Sequence, residues 1–194
     1  MVIAGPTGCG KTMWLKQLIN GRLKFILPPP TDVIYFFAEN QPIFNKIKRV
    51  KFVEGLDITL IDQLKGKRTL VIIDDLMDEA ANSVKVSSLF TKGSHHRNIS
   101  VILVVQNMFV KGKEMRNISL NAQYIVLFKN PRDKTIAFHI ARQMYPGKVS
   151  AFQQVFEDAT SDAFSYLFID LTPATPEERR LLTDIFDNPS AYII

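Results

Sequence analysis

Short apolar runs alternate along the chain with stretches in which apolar residues recur at helical spacing. The runs are nearly continuous and rich in β-branched and aromatic residues, which is typical of strands buried on both faces of a sheet. The clearest runs are residues 1–4, 33–38, 69–74, 99–105 and 123–128, and weaker ones are 50–53 and 165–171. The stretches with helical spacing are 11–20, 42–48, 57–64, 76–90 and 132–144. This alternation predicts an α/β fold with a mainly parallel central sheet.

The chain length of 194 residues favours a single domain. Apolar residues make up 46% of the chain and charged residues 22%, which is the composition of a globular protein. The sequence has no internal repeat, linker or low-complexity segment, and its length does not fit a two-domain helicase or a multidomain kinase. We predict one domain over 1–194, with its core in 1–145 and an extension over 146–194 that holds an extra strand and an acidic tail.

Charge is distributed unevenly along the chain. The net charge is +5, yet residues 150–194 contain eight acids and two arginines, so this part carries −6 and residues 1–149 carry +11. A basic body of this kind favours an anionic partner.

The cysteine content and the apolar runs bear on where the protein works. The single cysteine, Cys9, excludes an intramolecular disulfide and a cysteine-based zinc site, and it fits a reducing compartment. No apolar run approaches the roughly 20 residues of a membrane-spanning helix, and the first residues lack the layout of a signal peptide. We therefore expect an intracellular protein with no membrane partner. His95, His96 and His139 have no spacing that predicts a metal site.

The segment GPTGCGKT, residues 5–12, fits the pattern G-x-x-x-x-G-K-[ST] and lies between an apolar strand and a helical stretch. Glycines let the backbone N–H groups of such a loop curl around phosphates, and the following helix adds its positive N-terminus. Lys11 should reach the β- and γ-phosphate oxygens, and Thr12 should ligate Mg²⁺. The predicted nucleotide-binding residues are Gly5, Pro6, Thr7, Gly8, Cys9, Gly10, Lys11 and Thr12.

Two acids lie at the end of the apolar run of residues 69–74. Asp74 is the last residue of the run, and Asp75 follows it directly. At the carboxyl end of a buried strand, Asp74 should lie beside the phosphate loop and hold Mg²⁺ through water, while Asp75 should lie near the attacking water. Asp75 is therefore the candidate catalytic base. Many hydrolases with such a phosphate loop have glutamate at the position of Asp75, so Glu39 and Glu79 remain alternative candidates for the catalytic base.

Gln106 and Arg97 lie at the two ends of another buried strand, residues 99–105. The Gln106 amide, at the carboxyl end, should contact the γ-phosphate and the attacking water and so sense hydrolysis. Arg97 precedes the amino end, far from its own phosphate loop, so it can serve only a neighbouring subunit. We expect it to act in trans as an arginine finger, which stabilises the charge of the phosphoryl-transfer transition state.

Two further sequence features resemble functional sites. The segment NPRD, residues 130–133, is close to the guanine-recognition pattern N-K-x-D, but Pro131 replaces the lysine and no glycine-bearing switch follows Asp75. We therefore expect ATP rather than a guanine nucleotide. Cys9 next to a lysine could be a reactive thiolate, although a small residue tolerated in a phosphate loop accounts for it more simply.

Together GPTGCGKT, LVIIDD and VILVVQN, in this order and spacing, resemble the FtsK-HerA superfamily of DNA-translocating P-loop ATPases. Residues 89–133 look more narrowly like the genome-packaging ATPases of polinton-like and adintovirus-type double-stranded DNA viruses, and the whole resemblance covers about residues 1–171. It implies a three-layer P-loop NTPase core, RecA-like and of the ASCE type. It also implies a homo-oligomeric ring of five or six subunits that hydrolyses ATP with Mg²⁺ and drives double-stranded DNA into capsids, with capsid proteins as further partners.

The resemblance also bears on individual residues. Lys11 and Thr12 take the phosphate-loop roles, Asp74 and Asp75 the metal and water roles, Gln106 the sensor role and Arg97 the finger role. Such proteins usually have residues before their first strand, so we expect a short segment to precede Met1.

In RecA-like rings the loop after the sensor strand commonly faces the central channel, and here that loop is residues 107–117. It carries Lys111, Lys113 and Arg116 around Gly112, so we expect a mobile basic loop that contacts DNA phosphates without reading bases. The acidic tail is expected on the outside of the molecule, where its removal would leave DNA stimulation nearly intact.

Two other functions fit the motifs. A small-molecule P-loop kinase would close an arginine-rich lid over the phosphates, but the natural lid segment, residues 107–117, holds only Arg116. A nucleotide-gated assembly protein without hydrolytic activity is compatible with Asp75 in place of glutamate. An ABC-type ATPase is disfavoured because no LSGGQ-like segment occurs.

Overall fold

Nine strands form one sheet in the computed structural model, which describes residues 1–63, 66–93, 98–109 and 112–194. In chain order the strands are β1 (Val2–Ala4), β2 (Asp32–Phe37), β3 (Lys51–Glu54), β4 (Thr69–Asp74), β5 (Ile99–Val105), β6 (Tyr124–Phe128), β7 (Tyr166–Asp170), β8 (Leu181–Thr183) and β9 (Ser190–Tyr192). Their order across the sheet is β3-β2-β4-β5-β1-β6-β7-β8-β9. Strands β1 to β6 are parallel, and β7, β8 and β9 are antiparallel.

Helices cover both faces of this sheet. They are α1 (Lys11–Asn20), α2 (Arg22–Phe25), α3 (Ile58–Asp62), α4 (Met77–Ala81), α5 (Val84–Ser88), α6 (Lys113–Asn121), α7 (Thr135–Met144) and α8 (Val149–Ala159). Helix α1 packs into one apolar cluster through Trp14 and Leu15, whereas α4 to α8 pack into a second cluster that includes Ile118 and Phe152. The α/β fold with a mainly parallel sheet, predicted from the apolar runs, and the three-layer architecture implied by the resemblance are therefore confirmed.

All seven predicted strands are present, each within about two residues of its predicted bounds. The central strand β4 is buried at every position, as its uninterrupted apolar run requires. Among the residues that the structure describes, no helix is long and apolar enough to cross a membrane.

Two predicted helices differ from what the sequence indicates. The stretch 76–90 forms α4 and α5, and α5 continues into a π-helical turn, Leu89–Gly93; the break lies where the Ser83 hydroxyl accepts a hydrogen bond from the N–H of Val86 and caps α5. The stretch 42–48 is a 3₁₀ turn, Pro42–Lys46. In both places local turn chemistry outweighs the helical spacing.

The prediction of a mobile basic loop over residues 107–117 is wrong for its second half. Helix α6 begins at Lys113, and its Met115 and Ile118 are buried in the core at helical spacing. Burial of these apolar side chains on one face therefore stabilises a helix in a segment whose basic residues favoured a loop. Helix α8 was missed although Val149, Phe152, Phe156 and Ala159 recur at helical spacing and pack against the same cluster.

The acidic tail is part of the sheet rather than an appendage. Beyond the predicted extra strand β7, the chain adds β8 and β9, and Leu181 in β8 is fully buried. Removing residues 176–194 would expose the edge of β7 and open the core. That this deletion leaves DNA stimulation nearly intact stays a prediction, and the burial of Leu181 argues against it.

Candidate functional site

The predicted phosphate loop, the two predicted acids and the predicted sensor lie at one edge of the sheet. Strand β5 lies between β1 and β4, and the parallel register places Ala4 beside Val105 and Val104 beside Asp74. The carboxyl ends of β1, β4 and β5 therefore open at the same edge, which is where ligands bind in α/β sheets. The phosphate loop, the two acids and Gln106 follow these three ends directly.

The loop after β1 has the backbone that its glycines permit. Gly8 and Gly10 have φ of 79° and 107°, in the left-handed region that side chains disfavour. Gly5 has no room for a side chain, because a Cβ there would lie 2.7 Å from both Cys9 Sγ and Phe128 Cβ. Gly10 is the N-cap of α1, so the loop leads directly into a helix N-terminus.

Lys11 lies over this loop. Its Nζ donates hydrogen bonds to the carbonyl oxygens of Gly5 at 2.6 Å and Pro6 at 2.8 Å. The ammonium group is therefore held inside the curve of the loop, where it would meet phosphate oxygens together with the backbone N–H groups.

Cys9 packs inward from the same loop. Burial raises the pKa of its thiol, and the nearby Lys11 ammonium offsets that rise only in part. A thiol with a raised pKa stays protonated near neutral pH and is a poor nucleophile. The structure thus favours a packing role for Cys9 over a reactive thiolate.

Asp74 is buried, with 5% of its surface exposed. The Tyr35 hydroxyl, on the neighbouring strand β2, donates a hydrogen bond of 2.6 Å to Asp74 Oδ2. Burial raises the pKa of the Asp74 carboxyl, while the Tyr35 hydrogen bond and the Lys11 ammonium oppose this rise. The proximity of Lys11 shows that the phosphate loop and Asp74 form one site.

Sequence reasoning missed Tyr35. The available signal was that Tyr35 is the one side chain with a polar atom within the apolar run 33–38. A buried phenol hydroxyl needs a hydrogen-bond partner, but only the pairing of β2 with β4 shows that the partner is Asp74.

The oxygen donors here fit Mg²⁺. Asp74 provides a carboxylate whose Oδ2 is held by Tyr35, and Thr12 provides a hydroxyl at the start of α1. Mg²⁺ is usually bound through one or two carboxylates together with substrate phosphates and water. Within the described part of the chain, no group of three or more His, Cys, Asp or Glu residues gathers as an all-protein metal site. When bound, the ion would neutralise charge on the β- and γ-phosphates.

Asp75 and Gln106 contact each other at the open edge. Gln106 Nε2 donates a hydrogen bond of 3.3 Å to Asp75 Oδ1, and both side chains are exposed. Asp75 has a φ of 57°, a left-handed backbone conformation that is uncommon for residues other than glycine. Asp75, rather than Glu39 or Glu79, is the acid in contact with the predicted sensor.

The basic candidates are only partly within the described residues. Arg97, His95, His96 and Lys111 lie outside them. Lys113 and Arg116 are exposed on α6, which follows β5 at the same edge of the sheet as the phosphate loop.

The segment 130–133 forms a turn. Asn130 Oδ1 accepts hydrogen bonds from the backbone N–H groups of Arg132 and Asp133, and Asp133 Oδ1 accepts from Thr135 at the start of α7. These side chains organise the backbone after β6, which agrees with the expectation that NPRD is no guanine site.

Comparison with known proteins identifies one family. The model of the family described as "Poxvirus A32 protein" matches residues 1–121, which include the phosphate loop, both acids and Gln106. No curated protein matches the chain significantly.

Solved structures share the fold at low sequence identity. The DNA-packaging ATPase B204 from Sulfolobus turreted icosahedral virus has a TM-score of 0.60 and 15% identity, over 88% of this chain and 91% of that one. The genome packaging NTPase B204 from Sulfolobus turreted icosahedral virus 2, in complex with AMPPCP, has a TM-score of 0.61 and 14% identity, over 90% and 93%. The type VII secretion ATPase EccC of Thermomonospora curvata has a TM-score of 0.56 and 11% identity, over 90% of this chain and 24% of that one.

Proposed function

The chain belongs to the Poxvirus A32 protein family, and from this premise we propose that it is an ATP-hydrolysing, double-stranded DNA translocase that packages a viral genome into capsids. Its fold is that of B204, which is described as a DNA-packaging ATPase and was solved with ATP analogues. The expected resemblance to packaging ATPases is thereby confirmed. We propose that the nine-stranded sheet works as a single ATPase domain.

The observation that carries this proposal is the meeting of four groups at one edge of the sheet. Lys11 lies over a glycine loop, Asp74 is buried beside it, and the exposed Asp75 is hydrogen-bonded to Gln106. A cation, a metal-binding carboxylate and a free carboxylate within one site are the parts that hydrolysis of a phosphoanhydride requires.

Each residue then has a separate task. Lys11 and the loop N–H groups hold the β- and γ-phosphates, and Thr12 with Asp74 hold Mg²⁺. Asp75 orients a water and takes its proton as the oxygen attacks the γ-phosphorus, and the bond to the leaving ADP oxygen breaks. Gln106, whose Nε2 donates a hydrogen bond to Asp75, serves in this proposal as the sensor that responds to the loss of the γ-phosphate.

A neighbouring subunit would complete this site. Arg97 precedes β5, whose amino end lies at the sheet edge opposite the phosphate loop. Since Arg97 precedes this end in the sequence, it serves in this proposal the nucleotide of the next subunit of a ring rather than its own. We therefore keep Arg97 as a trans-acting finger in a homo-oligomeric ring of five or six subunits.

DNA is the proposed polymeric substrate. Lys113 and Arg116 are exposed on α6, and Lys111 precedes them in the sequence. Cations on an exposed helix contact phosphates without reading bases, which suits a motor that must move along any sequence. We propose that capsid proteins are further partners and that the protein acts inside infected cells.

Steady-state ATPase measurements with and without duplex DNA test this function. Duplex DNA should raise turnover, and Lys11→Ala should abolish it because the phosphates lose their cation. Lys24→Ala is the matched control, since Lys24 is exposed on α2, beyond the far end of α1. Phosphate transfer to a nucleoside or metabolite faster than to water would show a kinase instead. ATP binding without hydrolysis under any DNA condition would show a nucleotide-gated assembly protein.

A further inference from the structure

Phe164 is an unusual residue in the turn between α8 and β7. Its side chain is 70% exposed, and its backbone has a φ of 66°. The left-handed conformation is rare for a bulky side chain, and such strained residues cluster at ligand clamps and active sites. An exposed ring held in this way calls for an explanation beyond packing.

The ring lies against the phosphate loop. A Cβ placed on Gly10 would be 3.3 Å from both Cβ and Cδ1 of Phe164. Phe164 therefore covers the last glycine before Lys11, at the point where α1 begins. Met13, on the first turn of α1, is also 53% exposed, so a second apolar side chain is exposed near the start of this helix.

The topology shows which part of a nucleotide would reach Phe164. The groups proposed for hydrolysis follow β4 and β5, on one side of β1 in the sheet. Strands β6 and β7 lie on the other side, and because β7 is antiparallel to β6, its amino end is at the loop edge. A nucleotide whose γ-phosphate points towards Asp75 must direct its base away from Asp75, towards Phe164.

The surroundings of Phe164 suit a base better than a phosphate. A cavity of about 560 Å³ adjoins the ring and is lined partly by Asp162, Asp184 and Asp187. This volume lies within the range of about 300–1,000 Å³ of small-molecule sites. Carboxylates repel phosphates, whereas they can accept hydrogen bonds from the amino group of a neutral base.

We propose that Phe164 stacks on the nucleobase of the nucleoside triphosphate held by the phosphate loop. This inference rests on the proposed function and adds the site of the base. Stacking on an aromatic ring tolerates different bases because each has a π-face. Phe164 therefore strengthens binding of ATP and GTP alike, and selection between them lies elsewhere.

Equilibrium binding of ATP and of inorganic tripolyphosphate, both with Mg²⁺, tests the proposal. Glycine suits the left-handed backbone, so Phe164→Gly removes the ring without new strain. It should weaken ATP and GTP binding about tenfold and leave tripolyphosphate binding unchanged, and Phe164→Tyr should retain wild-type affinity for all three. Phe138→Ala, which removes a 37% exposed ring on α7, is the control and should change none of them.

The outcomes separate this inference from the function on which it rests. Unchanged ATP binding in Phe164→Gly would overturn the stacking role while the phosphate loop stands. An equal loss of ATP and tripolyphosphate binding would also overturn it, since the ring would then support the loop rather than the base. A wild-type protein that binds neither ligand would refute the proposed function and this inference together.

Discussion

Tyr35 orients the Asp74 carboxylate, whose position the sequence motif alone does not specify. Its hydroxyl is hydrogen-bonded to Asp74 Oδ2 in the core, while its ring packs against Phe44 and Phe52. Groups that orient a metal ligand in this way are worth about 10–100-fold in metal affinity. At the scale of single residues, the sequence predicts Asp74 as a metal ligand but does not predict that Tyr35 orients it.

Tyr35→Phe should raise the Mg²⁺ concentration that half-saturates ATPase activity by about tenfold. The ring stays and the fold is kept, but the Asp74 carboxylate loses the hydrogen bond that lowers its pKa, so protons compete better with Mg²⁺. Turnover at saturating Mg²⁺ should be retained. Tyr124→Phe, on the far side of β1 in β6, is the control, and an unchanged Mg²⁺ requirement in Tyr35→Phe would contradict the role.

Cys9 should resist alkylation at neutral pH. Because burial raises the pKa of its thiol, Cys9 stays protonated to a higher pH than an exposed cysteine, and its reaction with iodoacetamide should accelerate at a higher pH than in the unfolded chain. Mass spectrometry of the labelled protein across pH, beside the urea-unfolded chain as reference, measures this. A rate that is already at its plateau at pH 7 would indicate the reactive thiolate instead.

Helix α6 shows how far element prediction reaches when charge and periodicity disagree. Basic residues and Gly112 indicated a loop, yet Met115 and Ile118 fix a helix whose other face exposes Lys113 and Arg116. A rigid helix presents these two cations at a fixed position relative to the sheet, which a mobile loop would not do. The central strands were easier to predict because burial on both faces gives them nearly continuous apolar runs, as in β4.

Lys113→Ala and Arg116→Ala should each weaken duplex DNA binding to a similar extent on unrelated sequences. Each should also reduce the slope of log affinity against log salt concentration by about 1, because one phosphate contact is lost. Basal ATPase activity without DNA should stay at the wild-type level. Arg142→Ala, an exposed arginine on α7, is the control. Wild-type slopes in both α6 variants would place the DNA contact elsewhere.

The sheet separates the predicted functional residues onto two opposite edges. The phosphate loop, Asp74, Asp75 and Gln106 open at one edge, while the amino end of β5, which Arg97 precedes, is at the opposite edge. The C-terminal strands extend the same sheet, so the acidic residues Asp184 and Asp187 line a cavity near the loop instead of forming a separate tail. In the proposed ring, with Arg97 as a finger acting in trans, a complete catalytic site needs two subunits.

A mixture of two inactive variants should recover activity. Arg97→Ala loses the finger and Asp75→Asn loses the base, so each alone should lose most of its DNA-stimulated turnover. In an equal mixture, about a quarter of head-to-tail interfaces would join an intact Asp75 to an intact Arg97. Turnover measured after mixing should rise accordingly. Full activity of Arg97→Ala alone, or no recovery in the mixture, would contradict a finger acting in trans.

The sequence alone determined the features that neighbouring residues encode. The phosphate loop, the buried strands and the acids at the end of β4 are local patterns, since glycine spacing, apolar runs and strand ends need no distant partner. The tertiary structure decided the contacts between distant parts of the chain. Tyr35 meets Asp74 across 39 positions, Gln106 meets Asp75 across 31, and Phe164 lies over Gly10. Strand order brings these pairs together, and strand order depends on how the whole core packs, which no local stretch of sequence records.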